Sequence, residues 1–242
     1  MVNLIEMSAK SKNILKLERE PVGVKFVKDS DKVIIKNDYD GNTKTRYCQA
    51  LMRAGNGESI MITSENISCP ASAAAFGLKP LLGMLSSGQM LFNMGLFATP
   101  EAGKKAMDGM TRLEQGQYTA VILCPLYSME MDPDVVVIES MAEQLMWISL
   151  ANIFETGERL HYNSAIFQAT CVDSTVIPFV KQKLNSCLGC YGCRDSTNIG
   201  DGEALLGIPF SKMENIVQNL EKLSDKAMKK ARSKEAFHSF RY

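Results

Sequence analysis

Two almost continuous apolar runs, YTAVILC (Tyr118 to Cys124) and DVVVIE (Asp134 to Glu139), constrain this chain more than any other stretch. Neither alternates apolar with polar residues, so each reads as a strand buried on both faces and bounded by turn residues. The second run is followed at once by Ser140-Met-Ala-Glu143, the pattern of a capping box, which predicts a helix through about Glu155. Strand, capped helix and a further apolar segment are the grammar of an α/β layer.

The rest of the chain fits that grammar. The first twenty residues or so mix charges through an apolar pattern and read as an amphipathic helix. PVGVKFV (Pro21 to Val27) and ESIMIT (Glu58 to Thr63) read as strands, with KDSDK after the former as a turn. YCQALMRAGNGE has helical spacing that stops at Gly55 and Gly57. In SENISCPASAAAFG, Ser68 or Cys69 caps a helix, Pro70 occupies its first turn and Gly77 ends it. Thr99 and Pro100 open a further helix through about Leu113. NSAIFQATCVDSTVIPFVKQKL fits helix or strand equally. Ser211 with Glu214 forms a second capping-box pattern, opening a long amphipathic C-terminal helix whose lysines read as a solvated face. No repeat, low-complexity tract or linker interrupts residues 1–242, so we expect a single mixed α/β domain with a buried sheet and flanking helices.

Twenty-seven basic residues balance twenty-seven acidic ones, which removes the global field that draws a protein to nucleic acid or an anionic membrane. The longest uncharged run lies between Lys79 and Glu101, but its Ser86, Ser87, Gly88, Gln89 and Asn93 argue against a spanning helix. It reads as buried or cavity-lining, with Met84, Met90 and Met94 as adaptable surface. The N-terminal pattern lacks the uninterrupted apolar core of a secretory signal, so a reducing cytoplasm is expected, along with self-association into a homo-oligomer.

In that compartment a cluster of thiols points to metal or redox chemistry more than to disulfides. Seven cysteines are present, and three of them, Cys187, Cys190 and Cys193, stand at two-residue intervals in NSCLGCYGCRD. A C-x2-C-x2-C run is the spacing with which bacterial ferredoxins supply three of four iron–sulfur ligands, the remote one being followed by proline. Cys69-Pro70 and Cys124-Pro125 both fit; Cys69 is preferred because it sits at a predicted helix start, whereas Cys124 ends an apolar strand. Cys48 is the next candidate and Cys171 the weakest. Arg194 could offset the charge of a bound cofactor. Zinc is the rival occupant, although only His161 and His238 accompany the thiols, and a thiol-exchange motif is the third reading. Glu130, Asp132 and Asp134 suit turn chemistry better than a cation site, and Glu203 fits either a polar site or a helix start. The sequence contains no phosphate-cradling loop, nucleophile elbow or dinucleotide fingerprint.

In order along the chain, PVGVKF, YCQALMRAGNGE, ISCPASAAAFGL, CPLYSMEMDPDVVVI, LGCYGCRD and GDGEALLGIPFSKMENIV resemble the prokaryotic family catalogued as domain of unknown function 169. The resemblance runs from about Pro21 to Leu220 and implies no assigned activity. It implies functional cysteines at Cys48, Cys69 and Cys190, the last in a C-x-G-x-R setting that ends at Arg194. Cys187 and Cys193 are additions to that pattern. The joint expectation is one iron–sulfur cluster, most simply 4Fe–4S, held by Cys190, Cys69 and some of Cys187, Cys193 and Cys48. Its partner would be a redox protein or a small molecule. The alternatives are a non-catalytic binding protein with structural zinc or free thiols, and a thiol-based sensor.

Overall fold

The computed structural model describes residues 3–31, 39–165 and 167–240; Lys32, the last residue of the KDSDK turn, lies outside them. Six strands form one sheet: β1 (Val22–Val27), β2 (Ile60–Thr63), β3 (Ala120–Pro125), β4 (Val135–Met141), β5 (Asn185–Cys187) and β6 (Glu203–Pro209). Their order is β2-β3-β1-β4-β6-β5, and every neighbouring pair is antiparallel. Antiparallel sheets usually wet one face and alternate in sequence. Here helices cover both faces, which is why the two defining runs are apolar at almost every position.

One face gathers Val24, Phe26, Ile62, Val121, Leu123, Val135, Val137 and Leu205. Against it lie α2 (Tyr47–Gly55), α3 (Pro70–Ala75), a π-helical segment Ala169–Val176 and α8 (Ile177–Lys181). Between α3 and β3 come the short α4 (Gly83–Ser86) and α5 (Gln89–Asn93), whose Leu85 and Leu91 are buried, and α6 (Pro100–Asp108). The other face presents Val136, Ile138, Leu206 and Ile208 to α1 (Leu4–Leu15), α7 (Ala142–Ile153) and α10 (Phe210–Leu223). The expected C-terminal amphipathic helix is α10, which buries Met213, Ile216, Val217, Leu220 and Leu223 and continues through a π-helical turn at Ser224–Met228. Of the other elements, α9 (Tyr191–Ser196) sits between β5 and β6 in sequence, a 3-10 turn (Leu126–Ser128) follows β3, and the short α11 (Lys229–Ser233) and α12 (Glu235–Ser239) follow α10.

Three local expectations fail for one reason, that tertiary pairing overrides local chemistry. Ser140 does not cap α7, because β4 continues through Met141 in register with β6 (Ser140 opposite Ala204, Met141 opposite Glu203). The Glu143 carboxylate instead accepts from Trp147 Nε1 at 3.1 Å and Arg232 Nε at 2.9 Å. Ser211 lies inside α10 and its hydroxyl donates to Gln182 Oε1 at 3.1 Å, while Pro209 takes the cap position. The helix from Pro100 ends at Asp108 rather than near Leu113, whose amide donates to Ala75 O at 2.9 Å. Among the described residues no helix is long and apolar enough to cross a membrane.

Candidate functional site: a cysteine-lined cavity

Four segments far apart in sequence each deliver one cysteine to the same place. Cys48 lies in the first turn of α2, and Cys69 is the residue from which α3 starts, with Pro70 following as the sequence predicts. Cys171 lies in the π-helical segment, and Cys190 is the N-cap of α9. All four line one cavity of about 280 Å³. Ser68, Ser72 and Thr170 add hydroxyls to its wall, Leu85, Met90, Met94 and Phe167 add apolar surface, and Arg46 and Asp195, 4.0 Å apart and partly exposed, complete it. Cys48 and Cys171 are buried, whereas Cys69 and Cys190 are part-exposed.

The triplet does not act as a unit. Its three residues fall in a strand end, a cap and a helix, so the two-residue spacing does not point the thiols in one direction. Cys187 closes β5 opposite Leu205, and Cys193 lies within α9; both are 1% exposed, and neither lines the cavity. Of the residues expected to bind metal, Cys48, Cys69 and Cys190 are brought together, and Cys187 and Cys193 stand behind them. Cys171, the weakest candidate by sequence, joins the front group. Cys124 faces the opposite side of the sheet among Val27, Ala120, Ile122 and Met129.

Burial pushes Cys171, Cys187 and Cys190 up, opposed at Cys190 by the Cys193 amide, which donates to its sulfur at 3.3 Å. Cys193 is pulled down because its sulfur accepts from the Cys48 thiol, and the same hydrogen bond raises Cys48. The Cys171 thiol donates to Gln168 O at 3.5 Å, and the Ser72 hydroxyl interacts with its sulfur. The buried Thr170 hydroxyl also lies beside the Cys193 sulfur and helps to lower it. Among the described residues no three His, Cys, Asp or Glu side chains gather as a single metal ion requires.

The other polar candidates support loops. Arg194 donates to Leu188 O (2.6 Å), Glu203 O (3.0 Å) and Gly200 O (3.3 Å) and does not line the cavity. Glu203 accepts from Arg19 Nη1 and from the Gly200 amide, each at 2.6 Å. Asp134 accepts from the Phe26 amide at 2.8 Å and from Lys25 at 3.0 Å. Met90 and Met94 line the cavity as expected, but Met84 is exposed and does not. Arg194→Ala is expected to lower unfolding free energy by about 1 kcal/mol through its lost hydrogen bonds, read from urea denaturation. No change in the midpoint would show that those bonds contribute nothing.

Residues 12–219 match the family model DUF169, described as "Uncharacterised ArCR". "Uncharacterized protein MJ0308" of Methanocaldococcus jannaschii is 25% identical over 224 residues, covering 91% of this chain and 95% of that protein. No solved structure gives a significant match.

Proposed function

The chain belongs to the DUF169 family, and from its cysteine-lined cavity we propose that it is an iron–sulfur redox protein whose cluster occupies that cavity. The observation that carries this reading is the placement of four thiols, from four separate segments, around one space of about 280 Å³. Each thiolate of a cubane binds a different iron, so its thiols surround a volume. A zinc ion instead draws its donors to one point, a gathering that the described residues do not make. The thiols are buried enough to shield a cluster from water, while the part-exposed Cys69 and Cys190 leave an edge through which electrons reach a partner. On this reading the protein works in a reducing cytoplasm with a redox protein or small molecule as its counterpart.

The test is anaerobic purification followed by iron and acid-labile sulfide analysis. About four of each per chain are expected, with broad visible absorption that dithionite bleaches. Colourless protein without labile sulfide after cluster reconstitution would sink the reading. The contact between Cys48 and Cys193 favours one second reading, thiol exchange. In that case mild oxidation would link Cys48 to Cys193, which peptide mass mapping detects.

A further inference from the structure

We propose that Cys171 is the fourth cluster ligand, in a set made of Cys48, Cys69, Cys171 and Cys190, and that the flanking thiols of the triplet, Cys187 and Cys193, bind no iron. This assignment rests on the iron–sulfur reading and departs from the ferredoxin-like spacing, which would recruit all three triplet cysteines.

Two features of the fold carry it. The first is direction: only Cys190 of the triplet lines the cavity, and Cys171 lines it from the opposite segment. Turning Cys187 inward would unpair β5 from β6, where Cys187 is opposite Leu205 and the neighbouring Ser186 hydroxyl donates to Leu205 O at 3.1 Å. Cys171 needs no such change, since its thiol gives up a long bond to Gln168 O and keeps the Ser72 hydroxyl beside it, with no strand pairing to break. The second is the π-helical segment itself. Its wider winding lets two consecutive residues, Thr170 and Cys171, both reach the cavity, and such segments recur at functional sites.

Anaerobic reconstitution of variants tests the assignment. The double variant Cys187→Ala/Cys193→Ala is expected to keep the wild-type iron content and absorption. Cys171→Ala, after one-electron oxidation by added ferricyanide, is expected to release one ferrous ion, about a quarter of its iron, and to give the electron paramagnetic signal of an oxidised three-iron cluster. Full four-iron content in Cys171→Ala under the same treatment would overturn the assignment. So would loss of the cluster in the double variant when its metal-free form melts like wild type. Should the double variant melt early, Cys187→Ser and Cys193→Ser are read singly in the same way. A wild-type protein that takes up no cluster overturns the iron–sulfur reading itself, which separates the two failures.

Discussion

Gly207→Ala is expected to destabilise the protein by more than about 3 kcal/mol and to open the cysteine cavity, an effect at the upper end of overpacking. Gly207 lies in β6 between Val137 of β4 and Asn185 of β5. A Cβ built there stands 2.0 Å from Ser174 O and 2.6 Å from Pro178 Cγ. The first of these is backbone in the π-helical segment, so no rotamer change relieves the clash. Either β6 leaves a ladder paired on both sides or the segment lifts away from the sheet. That segment carries Thr170 and Cys171, so lifting it moves one wall of the cavity. Urea denaturation followed by circular dichroism reads the stability, and the rate of thiol modification reads the cavity. A variant with wild-type midpoint and unchanged thiol reactivity would show that the close approach is unimportant.

The second large effect is a pH dependence centred on Glu139. Its carboxylate lies 3.0 Å from Arg19 Nη1, but that guanidinium nitrogen also serves Glu203 at 2.6 Å. With Glu139 8% exposed, burial outweighs the attraction of Arg19 and pushes its pKa up to about 7 from the ordinary 4.5. Because the folded value is the higher one, the native state binds the extra proton between the two values. Stability is therefore greatest below the unfolded pKa and falls as pH rises towards about 7. The rise of about 2.5 units corresponds to about 3 kcal/mol lost from this group across that window. Glu139→Gln, which stays neutral, is expected to show a stability profile flatter by about that amount between pH 5 and pH 8. Urea titrations of metal-free protein at the two pH values decide it, and parallel profiles for wild type and variant would reject the idea.

Much of the architecture was legible because burial writes itself into composition. The runs at Tyr118 and Asp134 became β3 and β4, and Cys69-Pro70 marked the start of α3. The failures share a cause. The Ser140 and Ser211 capping patterns are local bonds, each outweighed by a strand or helix that long-range pairing had already placed. The 163–184 stretch had no clear period because a π-helical segment has neither the 3.6 nor the 2.0 repeat that pattern reading relies on.

The cysteine site divides the same way. Residue type and caps alone determined that Cys69 would stand at a helix start and that two apolar strands would form a doubly covered sheet. Which thiols share a space was decided only by the tertiary structure. Side-chain direction depends on whether each cysteine ends a strand, caps a helix or lies within one, and neighbours at two-residue spacing turned apart for that reason. Cys171 reaches the cavity because the bare backbone at Gly207 lets its segment settle on the sheet, a contact between residues 33 apart in sequence at Ser174 and Gly207.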